Sequence, residues 1–441
     1  QLRHLITYFM YLFGVWALHS QVIKIFKSRL SGMVAVIFLL LSPRMFAEAF
    51  YNSKDIIFMS YVSLAMLTLT NLSIKMNYRN ILVHSFMVAF AIDIRIMAIF
   101  LLPLTLLVIA YTYITNKINF SQVLKYSSAY LITNCIFIII LFPLLWENPI
   151  NNLLTIFNSM SAFPASSSML FMGEKIFQNN LPWFYIPVWI FVTTPPIIIF
   201  LFIFGFIFLI TKLFKIKKIN YDIKLFILTL NLLIILGCIS TVIFFNSTLY
   251  NGWRHLYFIY PSIIILSVGG LMNILKIFSK FKFRFFFLTL FSIFFISHQV
   301  TLLIKSHPLQ NVYFNFTVGH NWKDKFDLDY WGLANHIVLR EILLDSSKKK
   351  ITICQKSHLA LKNTLRILNE VEKNRLKLVC SFDNYYSNYD NQEINKLPDY
   401  IIENYFVSFE PKNIDLNKYI ILKEIKIFNE TIVTLYKLNI T

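Results

Sequence analysis

Between Leu5 and Ile304 the chain repeats one feature: apolar runs broken by short polar stretches. A helix of about 20 apolar residues crosses the hydrocarbon core of a bilayer. Inside that core only helices and closed barrels satisfy every backbone polar group. The runs lie near 5–23, 30–41, 56–72, 126–146, 183–210, 225–245, 256–275 and 285–304. Segment 81–114 is long enough for two short helices, with Asp93 and Arg95 at the turn between them. The expected fold is therefore mostly α, a polytopic bundle of about ten membrane-crossing helices. Composition agrees: 57% of the residues are hydrophobic, 14% are charged, and Phe alone contributes 45 of 441. A water-soluble domain carries nearer a quarter charged residues.

A formal charge of +19 raises the question of nucleic acid. Its distribution argues against it. Residues 1–304 hold 22 basic and 6 acidic side chains, whereas 305–441 hold 19 and 16. The excess sits in the short turns between apolar runs, as the positive-inside rule requires. Loops 24–29, 73–80, 115–125, 211–224 and 276–284 carry 16 Lys or Arg and a single acid, Asp222. The alternate loops 42–55, 93–95, 147–181 and 246–255 carry 5 basic and 5 acidic residues. The first set is expected in the cytoplasm of an inner or plasma membrane. The partners implied are membrane lipids rather than nucleic acid.

Residues 305–441 form the second expected domain, beside a membrane domain at 1–304. Strand-like runs at Ile351–Cys354, Leu376–Cys380, Tyr400–Ile402 and Tyr419–Ile427, with a helical stretch Ser357–Glu372, read as a small α/β unit. Loop alternation places it outside the cytoplasm. There Cys354 and Cys380 could form a disulfide, whereas Cys135 and Cys238, inside apolar runs, are expected to be buried. The cysteines show no metal-ligand spacing, and no metal or cofactor is expected.

The non-cytoplasmic loops are chemically richer. Segment SPRMFAEAFYNSKD places Arg44, Glu48, Lys54 and Asp55 between two spans. Asp93 and Arg95 reach the same leaflet, as does YNGWRH with Tyr250, Arg254 and His255. Charges at a membrane edge are costly unless they pair or meet water, and a self-neutralised loop is the plain explanation for any one of them. Three loops converging at one depth suit sugar transfer from a lipid phosphate. A carboxylate takes the acceptor's proton. Arg forks hold the departing phosphate, and aromatic faces pack on sugar and isoprenoid.

At these motifs the sequence resembles the protein O-mannosyltransferases and their bacterial relatives, including the aminoarabinose transferases of lipid A, which share the GT-C fold. Segment 42–55 resembles their loop ending in Asn-x-x-Asp, and AIDIRIMAI (91–99) their short helix pair. VTTPP, YNGWRHLYFIYP, HPLQNVYFNFTVG and DYWGLAN resemble a bacterial branch of the same superfamily. The resemblance implies an inverting glycosyltransferase at the non-cytoplasmic face. Its donor is a polyprenyl-phosphate-linked sugar and its acceptor a hydroxyl of a glycan, lipid or protein. It implies Asp55 as a second acidic position near the active site, and Asp55 is the catalytic residue expected within this chain. Arg95 is implied at the donor phosphate, where Arg44, Lys54 and Arg254 join it on chemical grounds, with Glu48, Tyr250 and His255 on substrate. The opening QLRHLITYFM resembles the end of the family's first external loop, so its first helix and principal acid are expected upstream of Gln1.

Other motifs have plainer readings. His4, His19, His84 and His298 lie in or beside spans and are expected to pack. Pro195 and Pro196 are expected to start or kink a helix. The sequons at Asn246, Asn315 and Asn429 matter only in a eukaryotic secretory setting. Trp322, Tyr330 and Trp331 suit an interfacial belt or a groove cover. Asp324, Asp327 and Asp329 lack the Gly and Glu of a calcium loop and are expected to be solvated. Two other functions stay open: a transporter or lipid flippase, which an internal symmetry axis would favour, and a non-catalytic membrane subunit.

Overall fold

A computed structural model describes residues 2–161, 168–215, 222–280, 284–357, 361–380, 397–406 and 415–439. The chain divides into two units, Gln1–Ala165 with Pro182–Val300, and Ser166–Leu181 with Thr301–Thr441. The hairpin Ser168–Phe177 thus groups with the C-terminal part.

The first unit is helical throughout: α1 (Leu2–Phe26), α2 (Arg29–Leu40), α3 (Pro43–Tyr51), α4 (Asp55–Ile74), α5 (Tyr78–Ile94), α6 (Leu101–Ile114, entered by a 3-10 turn from Ile96), α7 (Phe120–Leu141), α8 (Pro149–Ser161), α9 (Tyr185–Thr193), α10 (Pro196–Phe214), α11 (Ile223–Phe244), α12 (Tyr260–Ile277, entered by a 3-10 turn from Arg254) and α13 (Arg284–Lys305). Among the described residues, seven helices are long and apolar enough to cross a membrane, or eight if the bent pair α2–α3 is one span. This is a multi-pass membrane protein.

Three breaks in the helices shape one end of the bundle. Segment 42–55, read as a loop, is mostly helix. Pro43 at the first helical position fixes an extended Ser42 before it, and α3 leaves α2 at 71°. The run 183–210 divides at Thr194–Pro195, where two prolines cannot continue the hydrogen-bond ladder. Segment 81–114 parts at Arg95, which is extended (φ −149°, ψ 122°).

Several polar side chains inside the bundle pair between helices. Gln21 donates to Thr70 (3.1 Å), and the His84 ring nitrogens meet Thr68 and Thr105 at 2.8 Å each. Helices α10 and α12 touch backbone to backbone at Gly205 and Gly270; a Cβ added to Gly270 would sit 2.1 Å from the Leu201 carbonyl oxygen. Cys238 is buried, but Cys135 is exposed on α7. A membrane helix on the rim of a bundle keeps one apolar face outward, so an apolar run does not by itself bury each of its residues.

The second unit holds a hairpin, β1 (Ser168–Phe171) and β2 (Glu174–Phe177), then α14 (Leu333–Asp345), β3 (Ile351–Gln355), α15 (Leu361–Leu365), α16 (Glu370–Arg375), β4 (Leu376–Cys380), β5 (Tyr400–Asn404), β6 (Tyr419–Ile427) and β7 (Glu430–Leu438). The larger sheet runs β4-β3-β5-β7-β6, with β3 parallel to β4 and β5 and antiparallel pairing beyond. Cys354 and Cys380 face each other across β3 and β4 and are disulfide-bonded.

Asp327 and Asp329 are buried, not solvated. Asp329 caps α14, accepting from the amides of Leu333 (3.0 Å) and Ala334 (2.9 Å), with Asn311 and Asn404 donating at 3.3 and 3.4 Å. Burial raises its pKa to about 6 against these bonds. The sequon residue Asn315 is likewise buried, its side-chain oxygen accepting from Thr317.

Candidate active site

The Asn-Ser-Lys-Asp turn between α3 and α4 organises the charged residues. Asn52 is buried, and its side-chain oxygen accepts from the Asp55 amide (2.9 Å), starting α4. Its Nδ2 donates to Glu48 Oε2 (2.7 Å) and Asp55 Oδ2 (2.9 Å). One amide therefore ties two fully buried carboxylates together. Two like charges so placed call for a cation. Arg95, at the break between α5 and α6, supplies it by pairing with the other oxygen of Asp55. Arg95 is 10% exposed and Asp55 3%, so water screens the pair little.

Loop 250–255 closes the same end of the bundle. Asn251 and Gly252 both take positive φ (57° and 72°). Glycine is favoured at the second by its positive φ, and its Cα lies against the Trp189 ring closely enough that a Cβ would be in van der Waals contact with it at 3.4 Å. Trp253 is buried and donates to Thr193 (2.9 Å), anchoring the loop to the end of α9. The turn sets the Tyr250 ring between Arg254, whose Cζ lies 4.8 Å from its centroid, and His255, edge-on at 4.7 Å. Arg44 lies over Trp189, 5.4 Å from the ring centroid.

The two groups adjoin. Phe258, one turn beyond Arg254, packs on Phe58 of α4 and stacks on Phe100 just after Arg95. Arg254, Arg95 and Lys54 all lie within electrostatic reach of His255. The eight residues singled out from sequence thus sit as follows. Arg44, Glu48, Asp55 and His255 are buried, while Arg95, Tyr250 and Arg254 are half-buried and Lys54 is exposed. Asp93 lies at the end of α5, half-buried.

Three members of the cluster were not singled out. Asn52 was signalled by the Asn-x-x-Asp spacing itself. Trp189 and Trp253 carried no separate signal, because aromatic residues within or beside an apolar run look like any others. Two buried nitrogens, Arg95 Nε and His255 Nδ1, have no hydrogen-bond partner among the described residues. Buried donors and acceptors are seldom left so, and both belong to this cluster. Arg44, Lys54, Arg95 and Arg254 outnumber Glu48 and Asp55, which leaves this group of residues net positive. No group of three or more His, Cys, Asp or Glu side chains able to hold a metal ion occurs among the described residues.

No protein-family model matches the chain, and no curated protein matches it. Among solved structures it is similar to ArnT from Cupriavidus metallidurans bound to undecaprenyl phosphate. That match is at 10% identity and a TM-score of 0.45, covering 98% of this chain and 83% of the other. Proteins so far apart need share no chemistry, so the site is read from its own residues.

Proposed function

We propose that the protein is a membrane glycosyltransferase of the GT-C type, which moves a sugar from a polyprenyl phosphate to an acceptor hydroxyl on the non-cytoplasmic face. The observation that carries this reading is the net-positive, largely desolvated cluster at one end of the bundle, in which Asp55 is held between Arg95 and Asn52. Lipid-phosphate donors deliver an anion to the membrane edge, and a net-positive cluster at one end of a bundle of membrane-length helices suits that anion.

In the proposed reaction the acceptor oxygen attacks the anomeric carbon from the side opposite the phosphate. The bond from that carbon to the phosphate oxygen breaks, and its electron pair leaves with the lipid phosphate. Arg44, Arg254 and Lys54 stabilise the charge that gathers there. Arg95 shares this work while pairing with Asp55. Asp55 orients the acceptor hydroxyl and accepts its proton as the new bond forms, with Glu48 linked to it through Asn52. Tyr250 and His255 present ring faces and edges to the sugar.

The test is release of polyprenyl phosphate from a polyprenyl-phosphate hexose by the purified protein in lipid nanodiscs, with Asp55→Ala beside wild type at equal amounts. The reading expects release to fall at least a hundredfold in the variant. Full release by Asp55→Ala removes Asp55 from the reaction.

A further inference from the structure

The other end of the bundle holds a cavity of about 520 Å³ between the ends of α1, α10, α11 and α12. The site described above lies where α12 is entered, near Arg254; this cavity lies near its last residues, roughly 25 Å away at 1.5 Å per residue. Its walls are apolar, formed by Phe26, Leu209, Leu225, Leu228, Leu266 and Met272. Its mouth carries Lys212, Lys224 and Lys276, with Asp222 as the one acid.

None of the three lysines forms an ion pair among the described residues. Lys224 Nζ instead lies 4.6 Å from the centre of the Phe26 ring, and Lys212 Nζ lies 5.5 Å from that of Phe208. Asp222 accepts from the Lys224 amide, starting α11. Topogenic lysines need only reach water; these three converge on a recess between helices. Gly269 also lines the recess, and a Cβ there would make only an ordinary contact with the Phe26 ring, at 3.5 Å.

We infer that this cavity binds the headgroup of an anionic glycerophospholipid. Its phosphodiester lies among Lys212, Lys224 and Lys276, and the first methylenes of its tails run along the apolar wall. Charge complementarity selects the anion, and the apolar wall at membrane depth selects a lipid over a soluble phosphate. Basic pockets between membrane helices are recognised settings for such headgroups. The inference does not depend on the transferase reading.

The test uses the full chain, delipidated and exposed to phosphatidylglycerol or phosphatidylcholine, with bound lipid counted by native mass spectrometry. Wild type is expected to retain phosphatidylglycerol in preference. A lysine at the headgroup is worth about 1 kcal/mol, or about fivefold. The triple variant Lys212→Gln, Lys224→Gln, Lys276→Gln should therefore lower the preference on the order of a hundredfold. Leu228→Trp, which fills the recess and leaves the charges, should lower retention of both lipids. Lys75→Gln, away from the cavity, should change nothing. The inference is overturned if wild type shows no preference or if the triple variant keeps it. It is also overturned if millimolar inorganic phosphate displaces the lipid, since charge alone would then account for binding.

Discussion

Neutralising Arg95 tests the buried ion pair apart from any activity. Asp55 is 3% exposed and keeps one hydrogen bond from Asn52 when Arg95 is lost. At an ordinary pair separation of about 3 Å and an effective dielectric constant of about 20, the attraction is roughly 5 kcal/mol. Removing one partner of a buried pair costs about 3–5 kcal/mol, because the other charge is stranded. Arg95→Met alone should lose that much. Asp55→Asn with Arg95→Met strands nothing, keeps an oxygen for Asn52, and should return to within about 1 kcal/mol of wild type. Unfolding free energies of the four proteins in mixed detergent micelles complete the cycle. With about 3–5 kcal/mol lost in each single variant and at most about 1 in the double, the expected coupling is about 5 kcal/mol or more. A coupling below about 1 kcal/mol would mean a water-screened pair, and the desolvated cluster would be wrong.

Two further outcomes follow from the packing. Asp329 is raised from 3.8 to about 6 by burial. Its contribution is therefore full below about pH 4 and is lost as pH rises through 6, by about 3 kcal/mol at 1.4 kcal/mol per pH unit. Exchange of the Leu333 and Ala334 amides should be slower at pH 5 than at pH 7, after correction for intrinsic rates. Asp329→Asn should abolish the difference; a difference that persists refutes this origin. Gly270→Ala should cost about 3 kcal/mol, since its Cβ meets the Leu201 carbonyl. Gly237→Ala, with nothing within 4 Å, should be neutral or stabilising by up to about 1 kcal/mol. Similar detergent half-lives for both variants would contradict the close crossing of α10 and α12.

The apolar runs made the spans legible, because hydrocarbon leaves a helix no alternative. The break near Arg95 was legible too, since a charge pair inside an apolar run marks a turn or a site. Segment 42–55 misled because its polar residues resemble a loop; Arg44 and Glu48 on α3 are buried instead of meeting water. In the second unit, β3 to β6 were read from their β-branched residues, but β7 was not, although Glu430–Leu438 pairs along the length of β6. Helix α14 lacks a Ser, Thr, Asp or Asn directly before it. Its cap comes from Asp329 across a left-handed Gly332, a link that spacing rules do not register. Asp327 and Asp329 looked solvated for the same reason: burial of a short polar side chain is decided by distant partners, here the Leu170 amide for Asp327 and Asn311 and Asn404 for Asp329.

The most direct measurement is the affinity of the purified protein for polyprenyl phosphate, compared with Arg44→Gln combined with Arg254→Gln. A hydrogen bond to a charged group is worth about 1.5–3 kcal/mol, so losing two should weaken binding by at least a hundredfold. Phosphatidylcholine binding should stay unchanged. Equal affinity of the two proteins for polyprenyl phosphate would contradict the assignment of this cluster to a lipid-phosphate donor.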